Sequence, residues 1–120
     1  MLMKYRKSFE KVAMGLLSFM PKEQDLKILQ NTIQKYEENP DWQLYIWKQE
    51  EDFVGLIGSE VDKLTFTVHH ASVNPSYRGE GIGHAMVEKV QELQEPRAMQ
   101  ASRETKDFLA KCWERTHFSQ

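Results

Sequence analysis

The sequence predicts an α/β fold: a mixed central sheet flanked by helices, in the order β-α-α-β-β-β-α-β-α, within a single domain spanning residues 1–120. Three observations carry that expectation. Four segments repeat apolar residues at helical spacing, and between them lie shorter runs rich in aromatic and branched residues. Two of those runs, separated by the charged turn Gln49-Glu50-Glu51-Asp52, read as a hairpin. A third run leads straight into Arg78-Gly79-Glu80-Gly81-Ile82-Gly83, and an amphipathic helix follows at once.

Taken in order, residues 2–6 alternate as a short strand, and residues 8–19 form a helix with Phe9, Val12, Ala13, Leu16 and Leu17 on one face. Pro21, with its fixed φ and no N–H, ends that helix and starts a second, in which Leu26, Leu29, Ile33 and Tyr36 repeat. Asn39-Pro40-Asp41 is a turn signal. Strands over 42–48 and 53–60 make the hairpin, and a long strand over 64–73 enters the glycine turn. The helix over 82–93 sets Ile82, Met86, Val90 and Leu93 on its buried stripe. Pro96 breaks it, residues 97–101 read as a short strand, and a last helix over 105–114 takes Ser102 as its N-cap.

Composition narrows the classes of function. A formal charge of −2 offers no basic surface for nucleic acid or for an anionic membrane. No apolar run approaches a membrane span, and the apolar stretch from Met14 to Met20 is short and lacks a cleavage pattern. The one cysteine, Cys112, excludes an intrachain disulfide and fits a cytoplasmic protein, with the thiol as a buried structural group. His69, His70, His84 and His117 lack metal-ligand spacing, so no metal site is expected.

The glycine turn carries the chemistry. Three glycines in five residues leave little side-chain bulk, so backbone N–H groups can converge on an anion. The helix start adds its positive dipole end, and Arg78 adds a planar set of donors suited to phosphate oxygens. A dinucleotide fingerprint would need glycine where His84 stands, and a Walker loop would need Gly-Lys-Ser/Thr. A bare helix-capping turn has no need of Arg78. The spacing therefore reads as a pyrophosphate cradle.

With Ser72-Val73-Asn74-Pro75 upstream and His84-Ala85-Met86-Val87 downstream, the turn resembles motif A of the GCN5-related N-acetyltransferases (GNAT). In that family an Arg/Gln-x-x-Gly-x-Gly/Ala loop holds the pyrophosphate of acetyl-coenzyme A. Val54-Gly55-Leu56-Ile57-Gly58 is similar to the family's third strand, and the element order matches over almost the whole chain. The match stops short of the two strands that normally follow the last helix. Residues 7–21 are similar to short members encoded with riboflavin-biosynthesis genes.

The resemblance implies a GNAT-type sheet lacking its last two strands, with acetyl-CoA as cosubstrate. It places the backbones of Arg78, Gly79, Glu80, Gly81, Ile82, Gly83 and His84 on the pyrophosphate. It sets Ala71, Ser72 and Val73 beside the pantetheine arm, where the strand splays from its neighbour. Ser102 stands where the family often has a cofactor-contacting asparagine, and either keeps that contact or acts only as a cap. Leu109 stands where many members carry an acidic tyrosine.

Transfer to an amine also needs a base, and imidazole titrates near neutrality. His69 is the first candidate and His70 the second; each has the alternative of a hydrogen-bonded histidine outside the chemistry. Neighbours on a strand face opposite sides, so one at most points into the cleft, and His69 shares the parity of Ala71 and Val73. Some family members place an active-site histidine at the position of His69. Trp42, Tyr45, Trp47 and Phe53 either line an acceptor pocket or fill the core. Glu50-Glu51-Asp52 reads as a solvated turn.

Two functions follow from the resemblance. One is an acetyl-CoA-dependent N-acetyltransferase for a small-molecule or protein amine. The other is a CoA-binding regulatory or scaffold protein with little turnover, linked to riboflavin biosynthesis. Without the last two strands, residues 97–101 would leave an open edge, with Phe108, Trp113 and Phe118 adding apolar surface nearby. A homodimer, or a partner protein, is expected to cover it.

Overall fold

The computed structural model describes residues 1–118, and the side chains of residues 1–112. The side chains of Trp113, His117 and Phe118 lie outside that description. Five strands form one sheet in chain order: β1 (Leu2–Lys4), β2 (Trp42–Gln49), β3 (Asp52–Val61), β4 (Thr65–Val73) and β5 (Ala98–Ala101). The first four run antiparallel to their neighbours, and β5 joins β4 in parallel. The helices are α1 (Glu10–Leu17), α2 (Leu26–Glu38), α3 (Ile82–Gln94) and α4 (Lys106–Phe118). No described helix is long and apolar enough to cross a membrane.

Alternation along the strands gives the sheet two apolar faces, and each takes a helix pair. On one face Ile57, Phe66, Val68 and Ala71 pack beneath Met86 and Val90 of α3 and Leu109 of α4. On the other, Leu44, Ile46 and Leu56 meet Ala13, Leu16 and Leu17 of α1 and Leu29, Ile33 and Tyr36 of α2. Burying each such large side chain is worth about 1.5–3 kcal/mol, so both layers are held firmly to the sheet.

Several expectations need correction. Pro21 does not start the second helix. Asp25 does, its carboxylate accepting from the N–H groups of Lys27 (2.8 Å) and Ile28 (3.3 Å). An aspartate at the N-cap satisfies two orphan donors, which a proline at the first turn cannot do. The turn left between the helices carries Met20 and Glu23 inward. Leu93 is 57% exposed, and α3 instead buries Val87 and Gln94 beside Ile82, Met86 and Val90. Gln94 tolerates burial because its amide donates to Gln43 Oε1 at 2.9 Å.

Ser102 does not cap the last helix with its side chain. Its N–H donates to Thr105 Oγ1 (3.1 Å), and Thr105, fully buried, donates from that oxygen to the Val68 carbonyl at 2.6 Å. Thr105 thus ties the start of α4 to the end of the β4–β5 ladder.

Candidate active site

The β4–β5 ladder pairs Thr65–Val68 with Ala98–Ala101 and then stops. β5 ends there, and the final residues of β4, without a neighbour on that side, face a cavity of about 650 Å³. Its walls include Ala71, Ser72 and Val73 on one side and Arg78, Gly79, Gly81, Ile82, Gly83 and His84 on another, with Phe108 and Cys112 of α4 opposite. Nine of the eleven predicted cofactor residues therefore converge on one cleft.

The glycines explain the shape. Gly79 (φ 87°) and Gly81 (φ 79°) adopt left-handed backbone that a side chain would strain. Gly81 is also the N-cap of α3, and no side chain caps that helix start. Its first-turn N–H groups thus lack intrahelical partners and carry the positive end of the dipole. Gly83 serves packing: a Cβ there would stand 2.9 Å from the Phe108 ring.

Other predicted groups are engaged elsewhere. The Ser72 hydroxyl donates to the Leu16 carbonyl at 2.7 Å, which leaves its backbone for the cleft. Glu80 accepts from Gln49 Nε2 (2.9 Å) and does not line the cavity. Ser102, bonded to Thr105, does not line it either. His84 lies at the rim, with Nδ1 3.3 Å from the Cys112 carbonyl and Nε2 3.3 Å from Glu88. Leu109 is 4% exposed, belongs to the core under α4 and does not line the cavity.

The histidines break the parity expected of them. Gly58 pairs with His70 and Ser59 with Val68, so β4 carries one extra residue, His69, in a bulge. The extra residue turns both imidazoles to the α1/α2 face. A second cleft of about 240 Å³ opens there, lined by His69, His70, Glu23, Thr32, Trp42 and Lys35, among others. Met20 and Glu104 line both clefts, so the two adjoin.

His70 is the better anchored. Its Nδ1 lies 2.5 Å from the Tyr36 hydroxyl, and its Nε2 lies 3.0 Å from Glu23 Oε1. Thr32 Oγ1 donates to the same carboxylate at 2.9 Å. A carboxylate only accepts, so His70 Nε2–H donates to Glu23 and Tyr36 O–H donates to Nδ1. Burial, followed by the charges of Glu23 and Glu60, holds the Tyr36 phenol well above its usual range and keeps it protonated. Gly58 makes room for this arrangement: a Cβ there would collide with the Tyr36 hydroxyl.

His69 instead stacks on Trp42, with ring centroids 4.6 Å apart and planes 16° from parallel, and bonds Glu60 at 3.1 Å. Lys35 Nζ lies 4.7 Å from the Trp42 ring centroid. Of the four aromatics in question, Trp42 lines the cleft, whereas Tyr45 and Trp47 pack on the α3/α4 core and Phe53 on the other. Sequence reasoning missed Glu23, Thr32, Tyr36 and Lys35. Thr32 had a signal: it stands inside the stripe Leu29, Ile33, Tyr36, where a polar residue needs a buried partner. Lys22 and Glu104 close the rim with an ion pair of 3.0 Å.

Comparison with known proteins agrees with this geometry. The family described as "Acetyltransferase (GNAT) domain" matches residues 40–118. A protein of Bacillus methanolicus, "Uncharacterized N-acetyltransferase in lysA 3'region", is 49% identical over 113 residues, covering 93% of this chain and 94% of that protein. Among solved structures, the fold is similar to that of AAC(6')-Iy in complex with the bisubstrate analogue CoA-S-monomethyl-acetylneamine (TM-score 0.77, 12% identity, 97% and 87% coverage). It is equally similar to a possible acetyltransferase from Clostridium difficile 630 (TM-score 0.77, 12% identity, 97% and 87% coverage). A cleft where β5 stops short of the end of β4, a glycine turn at a helix start and these matches lead to one assignment: the chain belongs to the GNAT acetyltransferase family.

Proposed function

We propose that the chain transfers an acetyl group from acetyl-CoA to the amino group of a small acceptor. The observation that carries this reading is the adjoining of two clefts, one walled by the glycine turn and one by the paired histidines. In the first, the first-turn N–H groups and Arg78 receive the pyrophosphate, and the free edge of Ala71–Val73 receives the pantetheine amides. In the second, the acceptor ammonium meets the Glu23 carboxylate. Glu23, backed by His70 and Thr32, takes the proton that the nitrogen must lose. The freed amine attacks the thioester carbonyl, a C–N bond forms, the C–S bond breaks, CoA leaves as thiolate, and the nitrogen's second proton passes to that thiolate through solvent. His69 serves as a wall of the acceptor cleft through its stack on Trp42.

Leu109 supports a second reading, a CoA-binding regulator with little turnover, because that position offers no proton for the thiolate. A thiolate is a competent leaving group unaided, which favours transfer. Incubation with acetyl-CoA and a panel of small amines, with thiol release and product mass read together, separates the readings. Matched release and acetylation support transfer; tight CoA binding without either supports the regulator.

Two further features belong to this proposal. The exposed strand β5 borders a groove of about 700 Å³ between α3 and α4, which supports a homodimer joined along that edge. Light scattering across a dilution series tests it, and a monomer at micromolar concentration would reject it. The likeness of residues 7–21 to RibT of riboflavin operons supports a role alongside flavin supply, tested by riboflavin yield in a deletion strain.

A further inference from the structure

We propose that the acceptor carries an anionic group as well as its amine, being a compact zwitterion such as an amino acid or an aminoalkyl phosphate. This rests on the transfer reading above and specifies its acceptor. The second cleft, about 240 Å³, is open on one side, so it takes in the part of the acceptor that surrounds the amine.

Charge then narrows the class. Lys22 and Glu104 neutralise each other at the rim. Glu23, 8% exposed, receives two donors, Thr32 and His70, and a carboxylate has lone pairs for more. An ammonium completes it. Lys35 has no carboxylate partner among the described residues; its ammonium lies only against the Trp42 ring. Thr32 and Lys35 are three residues apart on α2, hence neighbours on one helix face. The cleft thus offers a fixed carboxylate and, about one helical turn away, an exposed lysine ammonium able to receive an anion. A simple alkylamine would satisfy the first and gain nothing from the second, which stays in solvent. A diamine would bring a second positive charge toward Lys35 and be repelled.

The test compares matched amines differing only in the anionic group: lysine with cadaverine, β-alanine with ethylamine, and phosphoethanolamine with ethanolamine. Initial rates of CoA release should give the anion-bearing member a kcat/KM at least about tenfold higher, through a lower KM. Whether the carboxylates or the phosphate leads identifies the anion. Lys35→Met should bring the ratio within about threefold of unity, because methionine keeps the length and the ring contact but not the charge. Equal or faster reaction of the members without the anion, or an unchanged ratio in Lys35→Met, would overturn the proposal. Calorimetric titration of the same pairs in the presence of CoA reads the cleft without turnover. Tighter binding of the zwitterions there with no acetylation would support the proposal while removing the transfer reading, and equal binding would overturn it.

Discussion

Glu23 is a carboxylate held in the interior by two partners on separate elements, Thr32 of α2 and His70 of β4. Replacing it with glutamine keeps the shape and removes the proton acceptor. Glu23→Gln should lower kcat by about a hundredfold, in the range of a lost general base, while CoA affinity is retained. His69→Gln should cost less than about fivefold, because its ring acts by stacking rather than by proton transfer. Comparable losses in the two variants would return the base to His69. Tyr36 supplies a pH test. Its phenol is held above the usual range, so the folded chain keeps that proton when the unfolded chain has released it. The stability this confers is intact below about pH 10, the unfolded value, and is lost as pH rises through the folded one. Urea midpoints should therefore fall more steeply above about pH 10 in the wild type than in Tyr36→Phe.

At the scale of elements, much of the architecture was legible because periodicity reports burial directly. The strand over 64–73 and the helix from Ile82 emerge within a residue or two of their expected bounds. Positive φ at Gly79 and Gly81 follows from the glycines themselves. The bulge at His69 was not legible, because one extra residue in a strand leaves no mark on composition and reverses every later parity. Glu23 was hidden for a related reason, since a charged residue in a turn reads as solvated until the packing of two helices encloses it. Two substitutions test the packing behind the site. Gly58→Ala sets a methyl against the Tyr36 hydroxyl and Leu44, and should cost about 1–3 kcal/mol in chemical denaturation. Leu109→Tyr, which restores the family's usual residue, should destabilise by a similar amount without raising the rate, because the position faces the core.

Over the whole molecule, the sheet divides the labour between its faces. The α3/α4 side supplies the glycine turn and the cleft at the end of β4, and the α1/α2 side supplies the carboxylate, the phenol and Lys35. The two meet where Met20 and Glu104 line both cavities, which is the junction the proposed transfer requires. Everything downstream depends on the glycine cleft seating coenzyme A. Calorimetric titration of CoA into the wild type and into Gly81→Val measures that directly, with circular dichroism confirming that the variant is folded. A valine at this left-handed position, where backbone must approach phosphate, should weaken binding by more than about tenfold, or about 1.4 kcal/mol. The same affinity in a folded Gly81→Val chain would contradict the account.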